Sequence, residues 1–363
     1  MDMENNGNNV TPEEEVTEIV EKDATEEILA TEEPLDRNVR LLSPGRMVLR
    51  RFFKSKLSII GLVMIVGLFL FSWLGPVVYQ KWGEKEEDAS GRSTYEYVVV
   101  DMELEDGTVI QAYQVLERSE RVNALAPISS EHLLGTDKLG MDVFVRLMYG
   151  GRTSLTISLI TVFAIMIIGV VFGGLAGYFG GWVDLLIMRI CDILMCLPTF
   201  PILLIMGSML DAYDVGSEFR IYYLMMFLTI FSWGGTARLV RGQILSLREQ
   251  EYMTAAEAMG FSAGRKIFKH LIPNVMPQLI VSMTLSLGST ILYEASLSYL
   301  NMGIRAPEAA WGSMINIINE DQNILKNYFN VWGPPGICII IAVLGFNFIG
   351  DGLRDALDPK MKR

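Results

Sequence analysis

Long apolar runs dominate this sequence and restrict the folds open to it. A helix needs about 20 mostly apolar residues to cross the hydrocarbon core of a bilayer. With 51% hydrophobic residues and a mean hydropathy of +0.33, the 363-residue chain is too apolar for an ordinary soluble enzyme. We therefore predict an all-α polytopic membrane protein with six spans, of which the third, fourth and sixth are shortened or interrupted by prolines or polar residues. The predicted spans are 57–79, 153–178, 183–210, 221–239, 277–300 and 336–350.

The first 36 residues have a different composition from the rest of the chain. They are strongly acidic, contain no aromatic residue and contribute much of the formal net charge of -12. Such a segment cannot bury enough apolar surface to fold, so we expect a disordered acidic tail. It lacks the basic start and short apolar core of a cleaved secretion signal, and the first span is expected to remain as an uncleaved anchor.

Basic residues set the expected orientation. They cluster before the first span (37–56), between spans four and five (241–269) and at the end of the chain (354–363). Cations in short flanking segments favour the cytoplasmic side. With six spans these three regions share one face, so both termini are expected to be cytoplasmic.

Two segments outside the spans carry patterns of their own. Arg46–Lys56 mixes apolar residues with cations, as in a short helix lying in the cytoplasmic interface, although a plain basic flank fits nearly as well. After the first span, partial alternation on both sides of Asp106-Gly107 predicts an extracellular β-hairpin. This insert would either dock a partner or cap the spans. The expected regions are an acidic tail (1–40), the interfacial helix and first span (41–80), the extracellular insert (81–150), the core of spans two to six (151–353) with a cytoplasmic loop (241–275), and the C-terminus (354–363).

Sequence motifs for catalysis are missing. The stretch GFSAGRK lacks the GxxxxGK[ST] order that wraps phosphates, and neither HExxH nor GxSxG occurs. Three cysteines within spans, Cys191, Cys196 and Cys338, form no disulfide framework, and two histidines exclude a histidine metal cluster. We expect no cofactor, and any energy from ATP would have to come through another chain.

Charges inside predicted spans are the usual pointers to function in membrane proteins. Asp184, Arg189 and Asp192 lie in span three, where Arg189 and Asp192 share a helix face and are expected to pair, and Glu294 lies in span five. These residues would either tie helices together or line a translocation path. In addition, Pro198 and Pro201 should kink or break span three, and four glycines give span two a small-residue packing face: Gly169, Gly173, Gly174 and Gly177.

The loop between spans four and five, residues 251–274, reads EYMTAAEAMGFSAGRKIFKHLIPN. It resembles the EAA loop of ABC importer permeases, whose pattern is Glu-Ala-Ala, three residues, Gly, nine residues and Ile-x-Leu-Pro. Thr254 and His270 depart from that pattern, and both departures are similar to the branch that carries peptides and nickel. The resemblance implies that this loop couples the permease to an ATPase subunit. The residues that it assigns to coupling are Glu251, Ala255, Ala256, Gly260, Arg265 and Pro273.

Physical reasoning agrees with that assignment. The alanines would keep one short helix slim enough to seat in a groove of the ATPase, and Gly260 would allow a sharp reversal at positive φ. Arg265 would line a second short helix together with Lys266 and Lys269, and Pro273 would end that helix before span five.

Three more stretches resemble the same branch: HLLGTDKLGMDVFVRLMYGGRTSLTISL (132–159), EASLSYLNMGIRAPEAAWGSMI (294–315) and GDGLRDALDPK (350–360). Met141 stands where the branch usually has Arg. Together they imply a C-type permease of an oligopeptide or dipeptide importer, with the fold of type I ABC importers. The implied partners are a second homologous permease, two ATP-binding subunits and an extracellular peptide-binding protein.

Two alternatives remain at this point. Nickel chelates are the next cargo after peptides, because both branches share these motifs. An ion-coupled secondary transporter is a different class that would often show a repeat between the halves of the chain, which this sequence lacks.

Overall fold

The computed structural model describes residues 44–91, 93–103, 109–119 and 122–358. Contacts divide the chain into two units, Met1–Met47 and Val48–Arg363, and the architecture below is that of the second unit. Of the first unit only residues 44–47 are described, and they form the start of a helix. The acidic tail, the turn at Asp106-Gly107 and the last five residues are sequence predictions that lie outside the described residues.

The described elements alternate between long apolar helices and short connecting ones. In chain order they are α1 Pro44–Phe52, α2 Lys56–Val78, β1 Ser93–Glu103, β2 Val109–Ser119, α3 Val143–Phe179, α4 Gly181–Cys196, α5 Thr199–Ala212, α6 Ser217–Arg248, α7 Glu251–Ala258, α8 Ala263–Tyr299, α9 Trp311–Glu320, α10 Gln322–Asn327 and α11 Phe329–Leu357.

In the part of the chain that the structure describes, five helices are long and apolar enough to cross a membrane, namely α2, α3, α6, α8 and α11. The pair α4 and α5 passes the same test together but is bent by 76°, so the number agrees with the predicted six when this pair is counted as one span. The break falls at Leu197 and Pro198, as the prolines predicted. A residue before proline is pushed out of helical geometry, and Leu197 accordingly has a ψ of 133°.

The long helix α3 lies at the centre of the bundle and packs against α2, α4, α6 and α8. Its glycines allow close approach to α6. A Cβ added to Gly169 would lie 2.5 Å from Thr236 Cβ, and one added to Gly177 would lie 2.9 Å from Ile244 Cβ. The predicted packing face is therefore confirmed for these positions and for Gly173, whereas Gly174 has only ordinary contacts.

The main apolar core joins α2, α3, α8, α9 and α11. Trp311, at the start of α9, is fully buried there, and its indole N–H donates to Leu147 O at 3.1 Å. Burying a tryptophan with its polar group bonded adds both area and orientation. This contact fixes the connection between α8 and α11 onto α3.

The predicted hairpin is confirmed. Strands β1 and β2 pair antiparallel, from Ser93 opposite Ser119 to Glu103 opposite Val109. They form a two-stranded sheet, and Val99 and Tyr113, a cross-strand pair, are 50% and 76% exposed.

Candidate coupling loop and membrane charges

The short helix α7 ends in a hydrogen-bonded turn that needs a left-handed residue. Gly260 has a φ of +73°, as predicted. Its N–H donates to Glu257 O at 2.9 Å, and the Phe261 N–H donates to Ala256 O at 3.1 Å. These two bonds form a Schellman motif, which reverses the chain after a helix. A Cβ at residue 260 would meet nothing within 4 Å, so backbone geometry rather than space requires glycine here.

One side of α7 is packed and the other is free. Met253 is buried with Ile244 of α6 and Leu271 of α8, and Ala256 is 2% exposed. The prediction that Ala256 belongs to a partner-facing side is therefore wrong, because three residues along a helix return to nearly the same face. The exposed side carries Glu251, Tyr252, Ala255, Ala258 and, just beyond the helix, Met259.

Cations hold this loop against the end of α3. Arg248 donates from Nη1 to Gly177 O at 3.2 Å and to Tyr178 O at 3.3 Å, which satisfies carbonyls at the helix end. Lys266, although only 8% exposed, places its ammonium 5.6 Å from the Tyr178 ring centroid and 3.7 Å from Glu257 Oε1. The loop is thus attached to α3 as well as to its neighbours in sequence.

Arg265 stacks within the turn instead of lining a separate second helix. Its guanidinium lies 4.2 Å from the Phe261 ring centroid, and that ring stacks on His270 at 5.6 Å. The stack joins the turn to the start of α8 through a cation–π contact.

Pro273 does not end a helix, contrary to the prediction. Helix α8 continues through it from Ala263 to Tyr299. The turn Lys266–Leu271 before it is π-helical, and the Ile272 N–H donates to Ile267 O, five residues back. This wider turn changes the hydrogen-bond pattern just where a proline ring would clash in a regular α-helix. The end of the loop between α6 and α8 is therefore continuous with span five.

The predicted charges of span three find partners on α6. Asp184 accepts two hydrogen bonds from Arg241, at 2.8 Å from Nε and 2.6 Å from Nη2, and both side chains are partly buried. Asp192 accepts one from Arg238 Nη2 at 2.6 Å, with both side chains about half exposed. The prediction that Arg189 pairs with Asp192 is wrong, because the Asp192 carboxylate forms its ion pair with Arg238 instead.

Arg238 was missed at the sequence level, although a cation inside the predicted span 221–239 was a signal for it. Arg189 is exposed and has no ion-pair partner among the described residues. Span three therefore carries one shielded tie to α6 and one exposed charge cluster.

Glu294 lies inside the subunit and is 0% exposed. The Ser298 hydroxyl donates to its Oε1 at 2.9 Å, and the Ile304 N–H donates to Ser298 Oγ at 3.3 Å. Its other oxygen has no hydrogen-bond partner among the described residues. This arrangement links α8 to the loop that follows it and fits an internal polar tie.

A buried polar cluster precedes α3. His132 Nδ1 lies 2.8 Å from Asp142 Oδ2, and its Nε2 lies 3.3 Å from Asp88 Oδ2. Asp142 also caps α3, accepting from the Val145 N–H at 2.9 Å. The resemblance had singled out this segment, but only the fold shows that its histidine joins two carboxylates.

Arg146 forms a second part of the cluster. Its Nε lies 3.1 Å from Asp137 Oδ2, its Nη1 donates to Pro307 O at 2.9 Å, and the same nitrogen lies 2.8 Å from Met141 Sδ. Met141 is 2% exposed and packs against the buried Arg146.

Within this cluster the pKa of Asp88 is lowered and the pKa of Asp137 is raised. Burial by itself would raise the pKa of Asp88, but hydrogen bonds from Asn123, Ser90 and His132 outweigh it and lower the pKa to about 2. Burial raises the pKa of Asp137 despite the opposing charge of Arg146. Within the described ranges, no group of three or more His, Cys, Asp or Glu side chains is arranged to hold a metal ion.

Comparisons with known proteins agree with these features. A family model described as "binding-protein-dependent transport system inner membrane component" matches residues 169–363. A second, described as "N-terminal TM domain of oligopeptide transport permease C", matches residues 43–89.

Characterised relatives match along most of their length. The oligopeptide transport system permease protein OppC of Bacillus subtilis is 34% identical over 323 residues, which are 89% of this chain and 92% of the relative. The dipeptide transport system permease protein DppC of the same organism is 35% identical over 86% of this chain and 85% of its own length.

A solved structure of the MetNI methionine ABC transporter in inward-facing conformations is also similar, with a TM-score of 0.45 and 20% identity over 58% of this chain. The two long sequence matches decide the family. This chain belongs to the inner-membrane components of binding-protein-dependent transport systems, the permease subunits of ABC importers.

Proposed function

We propose that this chain is the C-type permease subunit of an ATP-driven importer for oligopeptides or dipeptides. It would form half of the translocation path beside a second, homologous permease. Two ATP-binding subunits would supply the energy, and an extracellular peptide-binding protein would deliver the cargo. The cargo is supported by the names of the relatives, OppC and DppC. We also propose that both termini and α7 face the cytoplasm, on the basis of the cations that flank the spans.

The shape of α7 is the single observation that carries the coupling role. Its inner side is packed through Met253 onto α6 and α8, and its outer side is free. A force applied to the outer side would therefore reach two membrane helices directly. Because α8 runs unbroken from this loop to Tyr299 at its far end, a tilt of α7 would be passed along the whole span.

An exposed alanine gives the sharpest test. Ala255→Glu adds bulk and charge to the free side of α7 without touching its packed side. We expect normal membrane levels, strongly reduced co-purification of the ATPase subunits and loss of ATP-dependent peptide uptake. Ala89→Glu makes the same change at another exposed alanine, in the segment after α2, and as the control should leave all three unchanged.

Two outcomes would contradict the proposal. Normal ATPase co-purification and peptide uptake in the Ala255→Glu variant would show that α7 is an ordinary loop. Uptake of a nickel chelate but of no peptide by the parent complex would leave the permease assignment intact and contradict the proposed peptide cargo.

The proposed orientation is tested with a protease site placed before Arg46. In sealed vesicles, we expect cleavage only when the protease is added on the cytoplasmic side.

A further inference from the structure

One exposed surface of the membrane-spanning helices differs from the others in its chemistry. The outward sides of α2 and α3 are apolar. By contrast, α4 and α6 together expose Arg189, Asp192 and Arg238, and this group is called the charged face below. Beside it on α6, a Cβ added to Gly235 or Gly242 would meet nothing within 4 Å, so the space in front of Arg238 is open. The apolar side chains exposed on α2 and α3 include Ile60, Val63, Val66, Leu70, Ile160, Phe163 and Ile167.

The charged face lies about three helical turns from the ends of α4 and α6 on the coupling-loop side. Asp192 follows the start of α4 at Gly181 by eleven residues, and Arg238 precedes the end of α6 at Arg248 by ten. At 1.5 Å per residue, both are roughly 15 Å from the helix ends that meet the coupling-loop side.

Exposed charges on membrane-crossing helices need water or polar partners. An ionised side chain facing lipid at mid-membrane is strongly disfavoured, and such residues normally face a bundle interior or a water-filled cavity. The Asp192–Arg238 pair does not neutralise the charged face, because two arginines and one aspartate leave one positive charge. Arg189 is the cation without an ion-pair partner among the residues that the structure describes.

We propose that the charged face lines the water-filled translocation path and that its arginines bind the C-terminal carboxylate of the passing peptide. This inference rests on the proposed function and names the group recognised at that site. A carrier of peptides with varied side chains must rely on groups that all of them share, and the terminal carboxylate is one. A planar guanidinium suits a carboxylate in geometry and charge.

The accessibility of the charged face can be measured by labelling a native cysteine, Cys196. Cys196 is exposed one turn after Asp192, whereas Cys191 and Cys338 are buried and serve as internal controls. In inside-out vesicles that carry the complete complex, a membrane-impermeant maleimide should label Cys196 in the resting state. Labelling should fall when the path is closed by a non-hydrolysable ATP analogue. An unreactive Cys196, or one modified only by a lipid-soluble maleimide, would place this face against the second permease or the lipid and overturn the proposal.

The carboxylate contact is tested by protection. The peptide Ala-Ala-Ala or its C-terminal amide is added at millimolar concentration from the cytoplasmic side. Labelling of Cys196 should be at least about threefold slower with the free carboxylate than with the amide, because one solvent-exposed charge contact contributes up to about 1 kcal/mol. Arg189→Gln combined with Arg238→Gln should remove that difference. Equal protection by both peptides, or none, would overturn the contact. Equal labelling with and without nucleotide would indicate a headgroup position instead of a path.

The other ion pair between the same helices supplies the matched control. Asp184→Asn combined with Arg241→Gln removes a partly buried tie and should keep the difference between the two peptides, even if less protein reaches the membrane. Peptide uptake by the parent complex is measured separately. Failed uptake would overturn the proposed function, whereas normal uptake without carboxylate-dependent protection would overturn only the present inference.

Discussion

At residue 260 the backbone conformation, rather than the surrounding space, selects glycine. A β-branched residue is strongly disfavoured at a φ of +73°, so Gly260→Val should cost roughly 1–3 kcal/mol locally. We expect the variant to insert in the membrane but to hold α7 in a changed orientation, so that ATP hydrolysis no longer responds to substrate. Membrane level and substrate-stimulated ATPase activity of the reconstituted complex measure the two effects.

Two substitutions control for this reasoning. Gly260→Asn should retain most of the coupling, because asparagine adopts left-handed geometry more readily than other side chains. Gly264→Ala changes a nearby glycine that is helical and has open space around it, and coupling should be unaffected. If Gly260→Val couples like the parent, the turn does not aim α7.

A second prediction at the residue scale concerns the buried side chain of Met141. An arginine in place of Met141 would bury a second cation beside Arg146. We expect Met141→Arg to destabilise the protein by about 3–5 kcal/mol, as an uncompensated buried charge does, whereas Met141→Leu should cost less than about 1.5 kcal/mol. Thermal unfolding of the detergent-purified subunit compares the two. Equal stability of the Arg variant would mean that Asp137 can serve both cations.

Asp88 predicts a pH dependence of the cluster before α3. Its pKa in the folded protein, about 2, is below the ordinary value of 3.8. The stabilisation from this group is therefore present above about pH 4 and is lost as the pH falls from about 4 towards 2. The Tm advantage of the parent over Asp88→Asn should shrink as the pH falls below about 4. An advantage that persists unchanged at pH 3 would contradict the assigned pKa.

At the scale of elements, the two predicted breaks had different outcomes. Pro198 follows Leu197, whose extended backbone separates α4 from α5. Pro273 follows a π-helical turn and leaves α8 continuous. The same residue type ends one helix and is accommodated in another, because the hydrogen-bond pattern just before the ring differs.

We expect the β1–β2 hairpin to affect stimulation by the binding protein but not association with the ATPase subunits. Its two strands pair with each other, and Val99 and Tyr113 remain exposed. Replacing residues 95–117 by a short linker should leave the membrane level and ATPase association normal and should weaken stimulation by the binding protein. Stimulation of ATPase activity at increasing binding-protein concentration measures this. Lost ATPase association after the trim would contradict the proposed topology.

At the scale of the whole molecule, polar contacts link distant parts of the chain around α3. Arg146 reaches the loop after α8 through Pro307 O, and Arg248 caps the opposite end of α3. Between them, glycines let α6 approach along the length of the helix. A change near Arg248, before α7, and a change in the loop after α8 thus act on the same central helix.

The sequence by itself determined what depends on local chemistry. Hydropathy over about 20 residues predicted the spans, the missing N–H of proline predicted the break at Pro198, and a glycine between helix formers predicted the turn at Gly260. Only the tertiary structure decided which side of α7 is buried, where Asp192 finds its cation, and that Glu294 is enclosed. These outcomes depend on which helices face each other, and residues 46 positions apart, such as Asp192 and Arg238, meet only after the helices pack.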